Sequence, residues 1–493
     1  MTSPTPQELT TAPSRYLRSV RLESDLHAAQ APAGYVITPQ VRLVLRRILT
    51  ALKVEGADRA LTLTGPYGTG KSAFALYLSR LVNDPKGDAF RLLQKVDPAL
   101  AHEVSEVVPR PLLPVPLTLR RARLSTLLME GLAQAASTFG EGKTLAQRLE
   151  QDLLATEDGF DSQAVLRAID ELKTAAVADG YGGLVIIFDE LGKGLEFEAR
   201  YGSDDIYLLQ ELAEVAVRSG SAPLLFIGVL HQGFEQYGEH LMASARKEWG
   251  KVQGRFADIA FLEPPEQQMR LAAQAIQTLE PTPSEALREQ AQQAAQALTD
   301  LEQAPKTIGA LEFVTLAGEA SPLHPTALIA LPFLFRRFAQ NERSLFAYLL
   351  SGEPHAVPAL WAARSGQELV RLSDLFDYFV ENLLPSLSRH LYARRWLEVL
   401  DAVQREPDLQ PLDVQTLKTI GLLGILGDMG ALHATFELIC VTLRDEPDSA
   451  EVRASLDRLS ELSLIVHRSY NHTYRIWEGS DIDIEAKLEE GRR

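Results

Sequence analysis

Cysteine is nearly missing: Cys440 is the single one in 493 residues, so no disulfide can close within the chain. It sits in the apolar stretch 436–443, where it reads as core packing, and the lack of an oxidised framework points to a reducing, cytoplasmic setting. Positive charge is also short. Lys and Arg number 49 against 66 Asp and Glu, a net charge of −17. A surface of that sign repels a phosphate backbone over most of its area, which excludes a general nucleic-acid coat protein. It leaves room for a local basic groove, with Arg42, Arg46 and Arg47 or Arg120, Arg121 and Arg123 as the sources, each equally readable as the wet end of an element. Apolar runs are too short to cross a bilayer; residues 327–335 come nearest and contain Pro332. The opening Met1-Thr-Ser-Pro-Thr-Pro lacks the basic and apolar parts of an export signal. No residues cluster with metal-ligand spacing. With 46% hydrophobic and 23% charged residues, the remainder is ordinary globular composition, long enough for two to four domains.

What is present is a glycine loop. Gly65, Pro66, Tyr67, Gly68, Thr69, Gly70, Lys71 and Ser72 complete the pattern G-x-x-x-x-G-K-[ST], after an apolar run at 59–64 and before a helix-like segment that begins at Ala73. Strand, glycine loop and helix in that order form a phosphate cradle, because backbone N–H groups and the positive end of the helix converge on an anion. Lys71 then reaches the β- and γ-phosphates and the Ser72 hydroxyl ligates Mg²⁺. An isolated glycine-rich turn would lack these flanks.

A second motif completes the site. Residues 184–188 are unbroken apolar and end in Asp189 and Glu190, as suits a buried parallel strand with acids at its C-terminal edge. Asp189 is the Mg²⁺-holding acid, and Glu190 is the base that polarises attacking water. The plain alternative for the pair is a solvated acidic turn. No N-K-x-D or T-K-x-D motif selects guanine, so ATP is the expected nucleotide.

Further along the chain, strands are expected at 113–119 and 222–232, the first placed at a sheet edge by Pro114 and Pro116. Helices are expected from Thr38-Pro39 onward, over 125–138, through 143–180 and over 204–219. Past residue 262 the strand signals stop. Helices then follow at 267–277, 284–301, 325–338 and 344–350, and a last group at 414–426, 431–443 and 450–462 precedes a hairpin joined through Asn471-His472. The expected fold is α/β: a parallel-sheet P-loop NTPase core with a helical lid and a C-terminal winged-helix domain. Its divisions are a lead-in at 1–34, the core at 35–262, the lid at 263–355, a helical linker at 356–411 and the winged helix with a charged tail at 412–493.

With these pieces in order the chain resembles AAA+ and STAND ATPases, especially the branch that holds archaeal origin-recognition ATPases. It is also similar to ATPases of bacterial phage-resistance systems of the BREX type. The resemblance covers residues 35–477 and implies three more site positions. His231 or Gln232, at the end of the fourth core strand, takes the place of sensor 1, which contacts the γ-phosphate or aligns water. Arg255, in Lys251-Val-Gln-Gly-Arg255-Phe256, stands where the family places an arginine that reaches a neighbouring subunit's ATP, although Gly254 replaces the usual serine. Arg343 stands where sensor 2 is expected, with Arg336 and Arg337 as competitors.

The leading functional reading is a Mg²⁺-dependent ATPase acting as a conformational switch, since only differential contact to the γ-phosphate can bias core, lid and a neighbouring copy. Expected partners are ATP, further copies of the chain through the core, and other protein subunits, with DNA left open and no membrane. The switch would belong to a DNA-associated or phage-defence complex. A replication initiator or helicase loader is one alternative, and an ATP-binding scaffold without turnover is another. In the last helix Arg453 and Arg458 alternate with Glu451, Asp457 and Glu461, which suits a protein contact better than a phosphate backbone.

Overall fold

The computed structural model describes residues 22–26, 35–118, 120–156, 159–201, 205–238, 241, 243–338, 345–387 and 392–477. The chain divides into two compact units at Glu263–Pro264.

In the first unit, β1 (Ala60–Thr64), β2 (Leu112–Thr118), β3 (Gly183–Asp189), β4 (Leu224–Leu230) and β5 (Ala257–Ala260) form one sheet in the order β2-β3-β4-β1-β5. Every pairing is parallel. Successive side chains leave a strand on opposite faces. Leu184, Ile186, Phe188, Leu224 and Phe226 join one apolar cluster with the helices Leu124–Ser137, Ser162–Ala178 and Asp205–Val217. Val185, Ile187, Leu225, Ile227 and Val229 join the other with the helices Pro39–Lys53 and Lys71–Asn83. Both faces are covered, which is why β3 and β4 read as continuous apolar runs rather than alternating ones.

Local signals set several boundaries. The Thr38 hydroxyl accepts the N–H of Val41 at 3.1 Å and Pro39 opens the helix, so Thr38-Pro39 is the cap expected from sequence. β2 lies at the sheet edge, where the N–H groups missing from Pro114 and Pro116 cost no ladder bonds. β5, at the opposite edge, went unread in the sequence because only Ile259 among its four residues is buried. Its Asp258 accepts hydrogen bonds from the hydroxyls of Thr62 and Thr64 on β1, at 2.7 and 2.6 Å. The helical stretch expected at 143–180 is two helices, Lys143–Ala155 and Ser162–Ala178, and the helices Asp88–Val96 and Pro98–Val107 carried no sequence expectation.

The second unit is helical up to its final hairpin. Most of its buried apolar residues between Met269 and Ile476 share one core, and Leu287, Ala291, Trp361 and Leu369 form a small separate cluster. At its centre Trp396 is fully buried, its ring 5.2 Å from Phe376 and 5.5 Å from Phe379. The helices Leu372–Leu387 and Ala393–Arg405 that bring these rings together lie in the stretch read as a helical linker. Helices Pro411–Asp428, Phe436–Arg444 and Ala450–Glu461 are followed by the antiparallel pair β6 (Ile465–Arg468) and β7 (Thr473–Ile476), the outline of a winged helix.

One polar knot crosses this core. Arg371 donates two hydrogen bonds to Asp445, both 2.9 Å, and one to the carbonyl of Thr442 at 2.8 Å. Gln290 donates to the same carboxylate at 2.8 Å, and the Nε2 of buried His324 lies 3.1 Å from it. Burial drives the His324 pKa down to about 4, so the ring stays neutral at pH 7. Asp445 has φ 67°, a left-handed conformation that asparagine also adopts readily. Asp445→Asn keeps that backbone but strands the Arg371 charge, so it should cost roughly 2–3 kcal/mol, below the full penalty for a completely buried pair. Calorimetry of the two proteins is the check, and an unchanged midpoint would deny the knot a stabilising role.

Candidate nucleotide site

The loop between β1 and the helix Lys71–Asn83 needs glycine at defined points. Gly68 and Gly70 have φ of 77° and 85°, in the left-handed region where a side chain is strained. Gly65 lies against the carbonyl of Phe261, where a Cβ would collide with it. The helix then starts at Lys71 with Gly70 as its cap and no side-chain capping bond, which leaves its first N–H groups directed at the loop.

Lys71 is buried and donates to the carbonyls of Gly65 and of Pro66, the latter at 2.7 Å, and to the Thr69 hydroxyl at 3.3 Å. Burial brings its pKa down to about 8, against the opposing pull of Asp189 and Glu190. The Ser72 hydroxyl donates to Asp189 Oδ1 at 3.0 Å, across 117 residues of sequence. Burial raises the Asp189 pKa to about 6, and the Ser72 hydrogen bond works the other way. Glu190 has φ 58°, unusual for a non-glycine residue and costing on the order of 1–3 kcal/mol. Its N–H donates to Asp189 Oδ1 at 3.1 Å. Its carboxylate stands 3.2 Å from Lys193 Nζ, close enough for an ion pair though not aligned as a hydrogen bond.

Sheet order explains the convergence. β4 lies between β1 and β3, so the ends of three parallel strands face one another and deliver the glycine loop, His231 and Asp189-Glu190 to a common edge. The fold is that of a P-loop NTPase. Of the two sensor candidates at the end of β4, His231 is the one drawn to the loop: its ring stacks on Tyr67 with centroids 4.5 Å apart. Burial lowers its pKa, which keeps the imidazole neutral. Tyr237 and Lys193 are the groups the sequence did not disclose. Neither belongs to a motif; Lys193 meets Glu190 three residues along the same turn, and Tyr237 reaches the site through packing.

The remaining candidates stand apart from this cluster. The Arg255 guanidinium is half-exposed and 3.5 Å from Glu214 on the helix Asp205–Val217, a surface pair worth little. Arg343 lies outside the described residues. Of its competitors, Arg336 is exposed and Arg337 lies over the Tyr392 ring at 5.6 Å. The two arginine groups considered for a basic groove are largely engaged: Arg42 and Arg46 face Asp97 at 3.7 and 3.4 Å, Arg120 faces Glu130 at 2.7 Å, and Arg121 faces Glu196 at 3.2 Å.

Ser72 and Asp189 offer hard oxygen ligands of the kind Mg²⁺ takes when phosphates and water complete its shell. Among the described residues no group of three or more His, Cys, Asp or Glu forms a metal cage of its own, so such an ion would depend on the nucleotide. Also among the described residues, no helix is long and apolar enough to cross a membrane.

No family model matches the sequence, and no curated protein matches it. Among solved structures, the chain is similar to the Aeropyrum pernix ORC2 protein in its ADPNP–ADP complexes, at 14% identity over 94% of this chain and 97% of that one, with a TM-score of 0.33. The ADP form of the same protein gives 14% identity, 95% and 97% coverage and a TM-score of 0.36. The Aeropyrum pernix ORC1 protein in complex with DNA gives 13%, 96% and 97%, and 0.33. So distant a likeness transfers no residue roles, and those of this chain rest on its own geometry.

The raised pKa of Asp189 makes the metal-free protein pH-dependent. The folded-state pKa of Asp189 is raised, so stability is full while the group is protonated in both states and declines as pH rises towards about 6. Asp189→Asn should therefore raise the melting temperature in chelating buffer at pH 7.5, with an advantage that shrinks steadily as pH is lowered from 6 towards 4. A gain that is constant across that range would mean that Asp189 is not a strained buried carboxylate.

Proposed function

We propose that this chain is a Mg²⁺-dependent ATP hydrolase that works as a nucleotide-driven switch. The observation that carries the reading is the 3.0 Å hydrogen bond from Ser72 to Asp189, which joins the glycine loop to the acid pair at one end of the sheet. In this reading loop N–H groups and Lys71 hold the β- and γ-phosphates, and the carbonyl contacts of Lys71 give way to phosphate oxygens. Mg²⁺ held by Ser72 and Asp189 would neutralise charge on the phosphates. Glu190 takes a proton from the attacking water, with its carboxylate placed by the left-handed backbone and by Lys193. His231 contacts the γ-phosphate, so hydrolysis removes its partner and changes the balance between conformations. Arg255, exposed on the core, is free to enter a neighbouring copy's site and offset charge on the transferred phosphoryl.

The winged-helix-like end supports a protein-facing role. Arg453 in the helix Ala450–Glu461 lies 4.2 Å over the Phe436 ring and pairs with Asp448 at 3.0 Å. Arg458 is bound to Asp413 at 2.7 Å. Of the two, Arg458 is committed to a buried carboxylate and is not offered to phosphates, while Arg453 stays more than half exposed. Duplex DNA is the second reading and draws on the hairpin instead, where Tyr470 is 77% exposed beside Arg468 and His472. Placement in a phage-resistance complex has no observation in its favour here.

Three outcomes test the proposal. Lys71→Ala should abolish ATP binding or turnover, and unchanged hydrolysis would remove the site. Glu190→Gln should bind ATP normally yet hydrolyse it at least about 100-fold more slowly, within the range a general base contributes; turnover equal to the parent would move the base elsewhere. Mixing Arg255→Ala with Lys71→Ala protomers should restore part of the activity, because a mixed pair keeps one intact site. Inactivity at every mixing ratio would count against transfer between copies.

A further inference from the structure

Two helices start at the sheet edge that gathers the site, and each carries a lysine in its first turn. Lys71 opens the helix Lys71–Asn83, and Lys193 is the third residue of the helix Leu191–Tyr201. Neither first turn holds an acid. A cation at that end opposes the helix macrodipole, so helix stability explains neither lysine. The backbone of Lys193 is firmly placed. Its N–H donates to the Glu190 carbonyl at 2.9 Å, Leu191 and Leu195 are fully buried, and Gly192 packs so closely on Tyr237 that a side chain there would collide with the ring. The ammonium is held loosely by comparison. Its Nζ lies 3.2 Å from Glu190 Oε2 without alignment as a hydrogen bond, and the side chain is 44% exposed. Glu190 precedes the helix with its φ of 58°, so this is not the ordinary pairing of neighbours along one helix face.

Lys193 also bears on the imidazole. Burial lowers the His231 pKa; beyond that, the charges of Glu190 and Glu196 favour its protonation and those of Lys71 and Lys193 oppose it. Both ammoniums and the Glu190 carboxylate therefore lie within electrostatic reach of one ring. In the proposed ATPase that ring, Lys71 and Glu190 surround the γ-phosphate. A carboxylate acting as base beside that phosphate meets a like charge. An ammonium has three donors, enough for a carboxylate oxygen and a phosphate oxygen at once. We propose that Lys193 is a second cationic contact for the γ-phosphate, its ammonium bridging Glu190 and the terminal phosphate and offsetting their repulsion. This rests on the reading of the glycine loop and acid pair as an ATP site. Lys193 then tells ATP from ADP, because only ATP brings the group that it reaches. The role needs no neighbouring copy, unlike that of Arg255, whose guanidinium faces Glu214.

Binding separates this role from simple support of the helix or of Glu190. Lys193→Met keeps the apolar stem and removes the charge. With Mg²⁺ present it should weaken binding of the non-hydrolysable ATP analogue ADPNP at least about tenfold and leave the Kd for ADP within about twofold, the effect of one lost charge-assisted contact to the terminal phosphate. Lys193→Arg should recover most of that loss. The unaltered protein supplies a readout that depends on no variant. Acetylation of Lys193 by acetic anhydride, followed by mass spectrometry, should be slowed by saturating ADPNP and much less by saturating ADP. Equal weakening of both nucleotides in Lys193→Met, no weakening of either, or equal protection of Lys193 by the two would overturn the proposal while leaving the ATP site standing. A parent protein that binds neither nucleotide would instead defeat the ATP-site reading, and this role of Lys193 with it.

Discussion

A hydroxyl on one helix meeting a carboxylate on a strand that is not its neighbour is the constraint on which the site depends. Ser72 and Asp189 come together because β1 and β3 run parallel with β4 between them, so both leave the sheet at the same edge. Parallel pairing is possible only with crossover helices, and those helices cover the two faces that the strands need buried. The same arrangement therefore forms the core and positions the chemistry. An antiparallel β3 would carry its acids to the far edge and leave the glycine loop with nothing to work against.

Burial makes that edge reactive. Asp189 and Lys71 are removed from water before any ligand arrives, and each has its charged form disfavoured as a result. Such a site is held under electrostatic tension, which a triphosphate with its cation would relieve by supplying negative charge to the lysine and positive charge to the carboxylate. Glu190 adds backbone strain to the tension. These costs fall on the segment that would respond to nucleotide in the proposed switch, while the apolar clusters on both faces of the sheet keep the scaffold fixed.

The second unit follows another logic. Its main apolar core runs from Met269 to Ile476, with a small satellite cluster around Trp361, and its polar links, such as Arg371 with Asp445, join helices far apart in sequence. In the helix Ala450–Glu461, Arg458 is held by the buried Asp413 and Arg453 shares an exposed pair with Asp448 over the Phe436 ring. A surface whose charges are already neutralised discriminates by shape and apolar contact more than by field, which is the character of a protein-contacting face.

Local chemistry carried the phosphate loop, the acid pair, the cap at Thr38-Pro39 and the proline-marked edge strand, because each depends on residues adjacent in sequence: glycines that allow positive φ, prolines that lack an N–H, an apolar run that ends in carboxylates. It did not carry β5, whose strand character comes from pairing with β1 and from the Asp258 carboxylate between two threonines. Nor did it disclose that the helices of the stretch read as a helical linker build the core around Trp396, which is held by aromatic contacts spread along the chain. That His231 and not Gln232 stacks on the glycine loop, with Tyr237 beside it, was decided by tertiary packing alone. Both residues are polar and follow the same strand, so only the ring waiting in the folded loop distinguishes them.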